Sequence, residues 1–372
     1  MQQQHTVLVV AQHGRFLAQL AYNAGHRVLV ADCFGDRDTL AIAAHWLPLD
    51  NLQDTVAVRN TLLALSQNES CLLVYGSGVE AFFPILATLP DTIRVLGNTA
   101  DIIANVKTPV VFLSILQKLN IPHPLTEFTP PNSDNQKWLC KPNVSFGGQY
   151  ITHYDHSSSL ANCYFQQYIE GRTGSVLFLA DGEEVQLYLI SEQFQYRSSD
   201  SPFLLSGLST PLILPATLEE TLTLFITQLV AETRLCGFNS LDFVITPDDE
   251  LYALEINPRI SVSAALLGSS IDIFERQLSA CSHRGLLPPT ISINQTHCHV
   301  FFAPSDLTVP ALIDWPASYH DLPHPNTVIK KGRPICSALI ETSMSFEQSE
   351  TTEQQALFSL LGLLENNDSS PI

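Results

Sequence analysis

Short apolar runs alternate with a helical pattern over the first part of the chain. Thr6–Val10 and Val28–Ala31 are continuous apolar runs, and Arg15–Ala24 between them repeats apolar side chains at helical spacing. Leu72–Tyr75 is a further apolar run, and glycines and a second helical pattern follow it. Apolar strands that alternate with helices are typical of parallel sheets covered on both faces. We therefore predict a small doubly wound α/β domain, Rossmann-like in class, over residues 1–100.

The pattern changes after residue 100, where short strands replace this alternation. A helix is predicted over Val110–Leu119, followed by a loop rich in Pro, Ser and Asn. The next apolar runs predict four strands: Trp138–Cys140, Tyr164–Ile169, Ser175–Leu179 and Val185–Ile190. Leu218–Leu235 predicts a long helix, and Ser349–Leu364 predicts an amphipathic helix near the C-terminus. We expect a central α+β domain over 101–295 and a small C-terminal domain over 296–372.

The charge balance narrows the classes of ligand. The 372 residues include 18 Lys and Arg against 37 Asp and Glu, which gives a formal charge of −19. Binding to nucleic acid or to an anionic membrane is therefore not expected. The N-terminal apolar run is too short for a signal sequence or a membrane span, and the eight cysteines are scattered singly. We expect a cytoplasmic protein with free thiols, in which the few cations beside glycines or carboxylates are candidates for binding an anionic ligand.

Two short strands near residue 250 predict a β-hairpin that presents two carboxylates. Leu241–Thr246 and Leu251–Ile256 flank the turn-rich quartet Pro247-Asp-Asp-Glu250. If Thr246 faces Leu251, Asp242 lies opposite Glu255 on one face of the hairpin. The same register places two further pairs on an apolar core face: Phe243 with Leu254, and Ile245 with Tyr252. Like charges across a ladder repel, so Asp242 and Glu255 require a cation or a raised pKa.

Asn257, two residues beyond Glu255, points to the face of the two carboxylates. Two carboxylates and an amide oxygen are hard ligands that suit Mg²⁺, with Mn²⁺ as an alternative. An ordinary hairpin with a solvated polar face is an equally good interpretation of this segment alone, and a one-residue change of register would separate the carboxylates. The metal interpretation therefore depends on phosphate-binding features elsewhere in the chain.

Upstream segments carry such features. Lys141 ends a predicted strand, and Gly147 and Gly148 follow in a loop whose backbone N–H groups can approach phosphate. Lys107 precedes the next predicted helix and is a second candidate phosphate ligand. An adenine slot requires a strand end with exposed backbone amides beside an apolar wall. Such a strand end is predicted at Gln166, Gln167, Tyr168, Ile169 and Glu170. Each segment also has a plainer alternative, a hairpin turn for the glycines and a solvated side chain for Lys107.

In this order, the residues resemble the ATP-grasp superfamily. The most specific part is Glu255-Ile-Asn257-Pro-Arg259 with Asp242 upstream, and the resemblance covers essentially the whole chain. It implies a pre-ATP-grasp domain over residues 1–100 and an ATP-grasp domain over 101–295. Within the latter, the lid subdomain would span about 108–170 and the core about 171–295, and the small C-terminal domain over 296–372 would follow.

The resemblance also implies roles for individual residues. Asp242, Glu255 and Asn257 would hold Mg²⁺ on the ATP phosphates, Lys107 and Lys141 would contact phosphate, and Gln166–Ile169 would form the adenine hinge. Arg259 would meet the transferred phosphoryl group, with Lys141 as the second catalytic cation. Family members often have an acidic residue past the hinge for the ribose hydroxyls. This chain has Thr173 there, and Glu170 is the substitute candidate.

The activity that the resemblance implies is ATP-dependent ligation. A carboxylate would be activated as an acyl phosphate and joined to an amine, with release of ADP and phosphate. Small-molecule carboxylates and amines are the expected partners, and a homodimer is one of the expected assemblies. Candidates for acceptor contacts lie beside the motif, and a structural role explains each of them equally well: Ser261, Ser263, Arg197 and the Ser206-Gly207 loop. The runs Leu17–Asp36 and Asp321–Cys336 are similar to an ATP-grasp branch found with tetrahydromethanopterin or methanofuran-type C1 carriers, which implies amino-acid, for instance glutamate, ligation in cofactor biosynthesis.

Two other classes of function stay open at this point. A nucleotide-binding regulatory protein could keep the fold without turnover, although the intact carboxylates and lysines argue against it. A nicotinamide-dependent oxidoreductase would be consistent with Asp32 at the end of the second strand, but the glycine fingerprint after the first strand is missing. His297 and His299 share one face of a strand and could bind zinc. No further ligand lies near them in the sequence, so a partly exposed pair is favoured.

Overall fold

The computed structural model describes residues 4–132, 136–155, 162–196, 202–282, 284–288 and 294–363. Its N-terminal part is a five-stranded parallel sheet with helices on both faces. The elements in chain order are β1 (Thr6–Val10), α1 (Arg15–Asn23), β2 (Arg27–Asp32), α2 (Arg37–Ile42), β3 (His45–Pro48), α3 (Thr55–Ser66), β4 (Cys71–Tyr75), α4 (Val79–Phe82), a 3₁₀ helix (Phe83–Thr88) and β5 (Ile93–Val95). The strand order is β3-β2-β1-β4-β5, which confirms the predicted α/β class. The order reverses between β1 and β4, so the loops after these strands flank the crevice at the carboxyl edge of the sheet.

β3 has no counterpart in the sequence prediction. It is the edge strand of the sheet, and none of its four residues is buried. An edge strand without buried side chains needs no apolar run, so the hydrophobic pattern carries no signal for it.

Both carboxylate oxygens of Asp32, at the end of β2, accept hydrogen bonds from neighbouring residues of the same sheet domain. Its Oδ2 accepts a hydrogen bond from Gly14 N (3.0 Å), and its Oδ1 accepts from Gly35 N (2.9 Å) and Trp46 Nε1 (2.8 Å). The residue has no exposed surface. Both carboxylate oxygens are therefore used to stabilise the loops after β1 and β2, and neither faces a ligand such as a ribose.

Two helices lead into a small antiparallel sheet that we call the lid sheet. The elements are α5 (Ala100–Lys107), α6 (Pro109–Lys118), β6 (Thr126–Glu127), β7 (Trp138–Pro142), β8 (Thr152–His153) and β9 (Cys163–Gln167). The lid sheet has the order β6-β9-β7-β8. Pro109 starts α6 at a position where its missing N–H leaves no hydrogen bond unmade, and the two helices meet at 78°. In the described residues no single helix has the length and apolar composition of a membrane span, although this bent pair passes that test when its two helices are taken together.

An eight-stranded antiparallel sheet, the core sheet, forms the centre of the molecule. The remaining elements are β10 (Arg172–Asp181), β11 (Val185–Tyr196), β12 (Leu204–Thr210), α7 (Ala216–Thr233), β13 (Cys236–Ile245), β14 (Leu251–Asn257), a 3₁₀ segment (Val262–Ser270), α8 (Ile273–Ala280), β15 (Thr296–Phe302), β16 (Leu307–Thr308), β17 (Tyr319–His320), β18 (Val328–Ile329), β19 (Pro334–Glu341) and α9 (Phe346–Leu360). The core sheet has the order β14-β13-β10-β11-β12-β15-β19-β17. The apolar stripe of α7, which includes Leu222, Ile226 and Leu229, packs on one face of this sheet. The opposite face is apolar at one end, where Leu179 and Phe238 are buried, and polar at the other end, where β10, β13 and β14 carry Ser175, Asp242 and Glu255.

The C-terminal residues extend the core sheet rather than forming a sheet of their own beside it. β15 pairs with β12, and β19 then pairs with β15. A separate apolar cluster around Phe301, Leu357 and Leu361 packs beneath α9. The hydrogen-bonded sheet therefore crosses the predicted boundary at residue 296, and the division into domains remains a prediction from the sequence.

The histidine pair on β15 anchors α9. His299 Nε2 lies 3.0 Å from Ser349 Oγ, and His297 Nε2 lies 3.0 Å from the Met344 carbonyl oxygen. The prediction of partly exposed histidines was wrong, because the two residues are 0% and 1% exposed. Burial, and then the neighbouring His297, lower the pKa of His299 to about 4. The pair is thus part of the core, and it fixes the N-terminal turn of α9 against the sheet.

Candidate active site

β13 and β14 form the predicted hairpin and bring Asp242 directly opposite Glu255. The same register pairs Ser240 with Asn257. The pairs predicted nearer the turn were wrong, because the register shifts by one residue after Asp242. Phe243 faces Ala253 instead of Leu254, and Ile245 faces Leu251 instead of Tyr252.

The shift follows from the geometry of the turn. Thr246 N donates to the Glu250 carbonyl oxygen (2.9 Å), so the loop has three residues, and Asp249 takes the left-handed conformation that such loops use (φ 59°). An extra residue in β14, Leu254, then forms a bulge that restores the register at the carboxylates. As a result, Leu254 and Glu255 both line the cavity described below, while Ala253 belongs to the core.

The two carboxylates differ in their electrostatic surroundings. Burial, and then the negative charge of Glu255, raise the pKa of Asp242 to about 6. Burial acts in the same direction on Glu255, but the nearby cations Lys107, Lys141 and Arg259 outweigh it and hold the pKa of Glu255 below its usual range. Lys107 Nζ lies 3.1 Å from Glu255 Oε2. A partly buried acidic pair of which only one member ionises readily is a site that a divalent cation would stabilise.

A glutamate from the N-terminal domain holds two of these cations. Glu80 Oε1 accepts from Arg259 Nε at 3.3 Å and lies 4.0 Å from Lys107 Nζ. Its Oε2 accepts from Gly78 N at 2.9 Å, and its side chain is only 2% exposed. Sequence reasoning missed Glu80. The available signal was a single charged residue inside the apolar segment 79–83, which follows the glycine-rich turn after β4.

Asn257 completes the predicted set of metal ligands. Its Nδ2 donates to Asp242 Oδ2 (3.1 Å), and its Oδ1 accepts from Arg259 Nη2 (3.3 Å). No three His, Cys, Asp or Glu side chains converge on one point in the part of the chain that is described. Two carboxylates with an amide oxygen still fit Mg²⁺ or Mn²⁺, because Mg²⁺ commonly takes one or two carboxylates from the protein and the rest of its shell from water and phosphate.

Lys141 reaches the cavity from the lid sheet. It is 8% exposed, its Nζ donates to Gln166 Oε1 at 3.0 Å, and it lies 5.9 Å from the centre of the Tyr164 ring. The glycine loop follows directly, with φ of 61° at Gly147 and 77° at Gly148. A Cβ at Gly148 would overlap with the Phe203 carbonyl oxygen. The glycine is therefore required both by its backbone conformation and by the close approach of another chain segment.

The predicted adenine hinge lies in the wall of the same cavity. Gln166, Gln167, Tyr168 and Ile169 are lining residues, whereas Glu170 is not among the residues that line it. Thr173 does line the cavity, and its hydroxyl donates to the Gln193 carbonyl oxygen at 3.2 Å. Of the two ribose candidates, Thr173 is thus the one at the cavity wall.

These residues share one cavity of about 750 Å³, which lies between the lid sheet and the polar face of the core sheet. Most of the predicted site residues line it: Lys141, Gly147, Gly148, Gln166, Gln167, Tyr168, Ile169, Asp242, Glu255, Asn257 and Arg259. Lys107 contacts the site through Glu255 instead. The lining residues that sequence reasoning missed include Gln193 on β11, Leu254 on β14, and Glu347 and Glu350 on α9.

The candidates for acceptor contacts fall into two groups. Ser206, Ser261 and Ser263 are buried and line the cavity beside Arg259. Arg197 lies outside the described residues. The serines therefore extend the cavity wall beyond the predicted metal ligands.

Comparison with known proteins identifies the domain and the fold. Residues 110–263 match the model of the ATP-grasp domain family. The ADP complex of purK, an N5-carboxyaminoimidazole ribonucleotide synthetase, shares the fold with a TM-score of 0.71 at 14% identity, over 97% of this chain and 98% of that chain. The biotin carboxylase of Campylobacter jejuni matches with a TM-score of 0.70 at 13% identity, over 95% and 91% of the two chains. The biotin carboxylase domain of Hydrogenobacter thermophilus 2-oxoglutarate carboxylase matches with a TM-score of 0.72 at 14% identity, over 96% and 90%. The match shows an ATP-grasp domain over residues 110–263, and the predicted fold class is confirmed.

Proposed function

We propose that this chain, which contains an ATP-grasp domain over residues 110–263, is an ATP-dependent ligase. It would activate a carboxylate as an acyl phosphate and join it to an amine, with ADP and phosphate as the other products. The observation that carries the proposal is the Asp242–Glu255 pair, which lies opposed across the hairpin in a cavity that Lys141 and Arg259 also line. Proteins of the same fold support it, since purK was solved with ADP and the H. thermophilus domain with MgADP and bicarbonate.

The cavity offers a place for each part of a nucleotide. The adenine would lie against the hinge Gln166–Ile169, and Leu254 lines the same cavity. The phosphates would lie between Lys141 and the glycine loop on one side and Asp242, Glu255 and Asn257 on the other. Mg²⁺ bound by these three residues would supply neutralisation of charge on the phosphate oxygens.

The chemistry requires no nucleophile from the protein. An oxygen of the substrate carboxylate attacks the γ-phosphorus of ATP, and the bond to ADP breaks. The amine nitrogen then attacks the carbonyl carbon of the acyl phosphate, phosphate leaves, and the nitrogen loses a proton. Arg259, held by Glu80 and Asn257, stabilises the negative charge of the transferred group. The lid sheet forms one wall of the cavity and would help to keep water from the acyl phosphate.

The two rival functions have less support. An oxidoreductase would need an acidic group free for a ribose, and both oxygens of Asp32 are bonded within its own loops. A regulatory protein without turnover would have no need to keep every metal ligand and phosphate cation, and all of them are present in this chain: Asp242, Glu255, Asn257, Lys107 and Lys141.

The direct test is ADP release measured against a panel of carboxylates and amines with MgATP. Glu255→Gln should lower the rate about 100-fold or more, because it removes a metal ligand and the partner of Lys107, while circular dichroism shows an intact fold. Glu250→Gln in the turn of the same hairpin is the matched control and should keep the wild-type rate. An unchanged rate in Glu255→Gln would refute the metal assignment.

Metal dependence is tested in the same assay. EDTA should abolish ADP release, and Mg²⁺ or Mn²⁺ should restore it. The panel should include L-glutamate as carboxylate and as amine, because the sequence resemblance to a branch found with C1 carriers implies amino-acid ligation in cofactor biosynthesis. That finer assignment remains a prediction from the sequence.

A further inference from the structure

Folding brings together two of the eight cysteines that the sequence scatters singly. Cys236 is the first residue of β13, and Cys281 follows the last residue of α8. Their Sγ atoms lie 3.6 Å apart, although the residues are 45 positions apart in the sequence. Both thiols are free, and both residues are partly exposed. The two thiols are therefore in contact close to the protein surface.

The contact is close to the geometry that a disulfide requires. A disulfide joins its sulfur atoms at about 2.05 Å, so the two Sγ atoms would approach each other by about 1.5 Å. Rotation of the two side chains about their Cα–Cβ bonds supplies movement of this size. The bond between Cys236 and Cys281 is therefore within reach of the folded chain.

The two thiols differ in how readily they lose a proton. The hydrogen bond with Cys281 lowers the pKa of Cys236 and outweighs the effect of burial. The same hydrogen bond, and then burial, hold the pKa of Cys281 well above its usual range. The thiolate is the nucleophile in thiol–disulfide exchange. Cys236 is therefore suited to attack first, and Cys281 is suited to attack second.

Other thiols of the chain provide a comparison. Cys33 is also partly exposed, but burial, and then Asp32, raise the pKa of its thiol to about 11. Cys140 also contacts a second thiol, that of Cys163, but it is buried, and burial is the main cause that raises its pKa to about 12. Neither Cys33 nor Cys140 therefore combines partial exposure with a thiol that ionises readily.

The pair lies where three parts of the fold meet. Cys236 N donates to Asn98 Oδ1 at 2.7 Å, and Arg94 Nη2 donates to the Cys281 carbonyl oxygen at 3.1 Å. On α8, Gln277 Nε2 lies 3.5 Å from Cys281 Sγ. A covalent bond between the two sulfur atoms would therefore fasten α8 to β13 at the place where both contact the segment after β5.

We propose that Cys236 and Cys281 form a reversible thiol–disulfide site whose oxidant is a low-molecular-weight disulfide. The Cys236 thiolate attacks one sulfur of the reagent, the S–S bond of the reagent breaks, and its other half leaves and takes up a proton. Cys281 then loses its proton, attacks Cys236 Sγ and releases the second half as a thiol. The protein gives up two hydrogens, and the reagent is reduced to two thiols. The site is independent of the proposed ligase function.

The test uses the reduced, full-length protein with oxidised glutathione near neutral pH and without denaturant. Remaining thiols are blocked with iodoacetamide, and linked peptides are identified by mass spectrometry over time. The Cys236–Cys281 linkage should form at least about 10-fold faster than Cys33 is modified, and dithiothreitol should remove it. The oxidised protein should keep or raise its melting temperature, because the bond joins atoms already in contact and restricts the unfolded chain.

Variants separate the two steps. Cys281→Ser should hold one glutathione on Cys236, because the second thiol that would release it is missing. Cys236→Ser should form no linkage to Cys281. Cys33→Ser removes a partly exposed thiol outside the pair and is the matched control, so the Cys236–Cys281 linkage should form in it at the wild-type rate.

Contrary results are equally specific. Absence of the Cys236–Cys281 linkage in the folded wild type overturns the site, as does modification of Cys33 at the same rate. A linkage that forms only in urea, or that lowers the melting temperature, shows that the thiols join only in the unfolded chain and also overturns the site. A Cys281→Ser variant that takes up no glutathione at Cys236 overturns the attack by Cys236.

Discussion

Glu80 allows a sharp test of the charge network, because it is a buried anion that serves two cations. Its Oε1 lies 3.3 Å from Arg259 Nε and 4.0 Å from Lys107 Nζ, and the side chain is 2% exposed. Glu80→Gln keeps the shape and the acceptor for Gly78 N but removes the charge. Arg259 then loses its nearest carboxylate at a position where its own side chain is only 9% exposed.

The expected loss of stability follows from this burial. Removing one partner of a buried ion pair typically costs about 3–5 kcal/mol. The retained hydrogen bond to Gly78 places Glu80→Gln near the lower figure, about 3 kcal/mol, which corresponds to a melting temperature lower by roughly 5 °C or more. Turnover should fall as well, because Arg259 is no longer held at the cavity wall.

A surface ion pair of the same chemical type provides the control. Glu232 Oε2 lies 2.7 Å from Lys118 Nζ, with side chains 30% and 63% exposed. Glu232→Gln should cost less than about 1 kcal/mol, because solvent screens an exposed pair. Both variants are compared by urea denaturation, by thermal melts and in the ADP-release assay. If Glu80→Gln destabilises the protein no more than Glu232→Gln does, the reasoning from burial is refuted.

Two further changes test the glycine loop and the ion pair between Arg15 on α1 and Asp321 in the C-terminal region, whose Nε and Oδ1 atoms lie 2.9 Å apart. Although burial opposes it, the Arg15 guanidinium lowers the pKa of Asp321 to about 2, against about 3.9 in an unfolded chain. The pair therefore contributes about 2.6 kcal/mol above pH 4, and this is lost as the pH falls through 2. Asp321→Asn should be less stable by that amount at pH 7 in denaturant titrations, and a difference from wild type that persists undiminished at pH 2 would contradict the sign. Gly148→Ala should weaken MgADP binding at least about 10-fold in calorimetry, because a Cβ there overlaps the Phe203 carbonyl oxygen at a φ of 77°. Gly285→Ala, with a φ of 79° and open space around it, carries similar strain and should bind MgADP normally, so equal affinities of the two variants would show that the overlap is harmless.

The hairpin shows what the sequence pattern could and could not predict. The opposition of Asp242 and Glu255 was predictable from the turn residues and the alternation of the flanking strands. The bulge at Leu254 was not, because a three-residue loop with a bulge and a four-residue loop without one give the same pairing at the carboxylates. The bulge changes only which side chains lie on the same face as Asp242 and Glu255, and it places Leu254 in the cavity wall.

The charged surroundings of the site were less predictable than its motif. Lys141 and the glycine loop lie within a few residues of each other, so local pattern was sufficient to find them. Glu80 acts through Arg259, 179 positions later in the sequence, and no local pattern reports a contact of that range. The burial of His297 and His299 also depends on long-range contacts that no local pattern predicts. Their partners, Met344 and Ser349, lie at the start of a helix about 50 residues later in the sequence.

The long sequence separations within the charge network also bear on how the protein matures. Lys107 and Glu255 are 148 positions apart, and Glu80 and Arg259 are 179 apart. Contacts of that range are slow to form, because the entropy of closing the long loop between them must be lost before the contact is gained. A growing chain that ends before Arg259 therefore lacks the proposed nucleotide site, whatever its secondary structure. A ligand that binds only the assembled site shifts the folding equilibrium towards the native state. The concentration of nucleotide would therefore govern how much of this protein is protected from unfolding and proteolysis, as well as its rate of turnover.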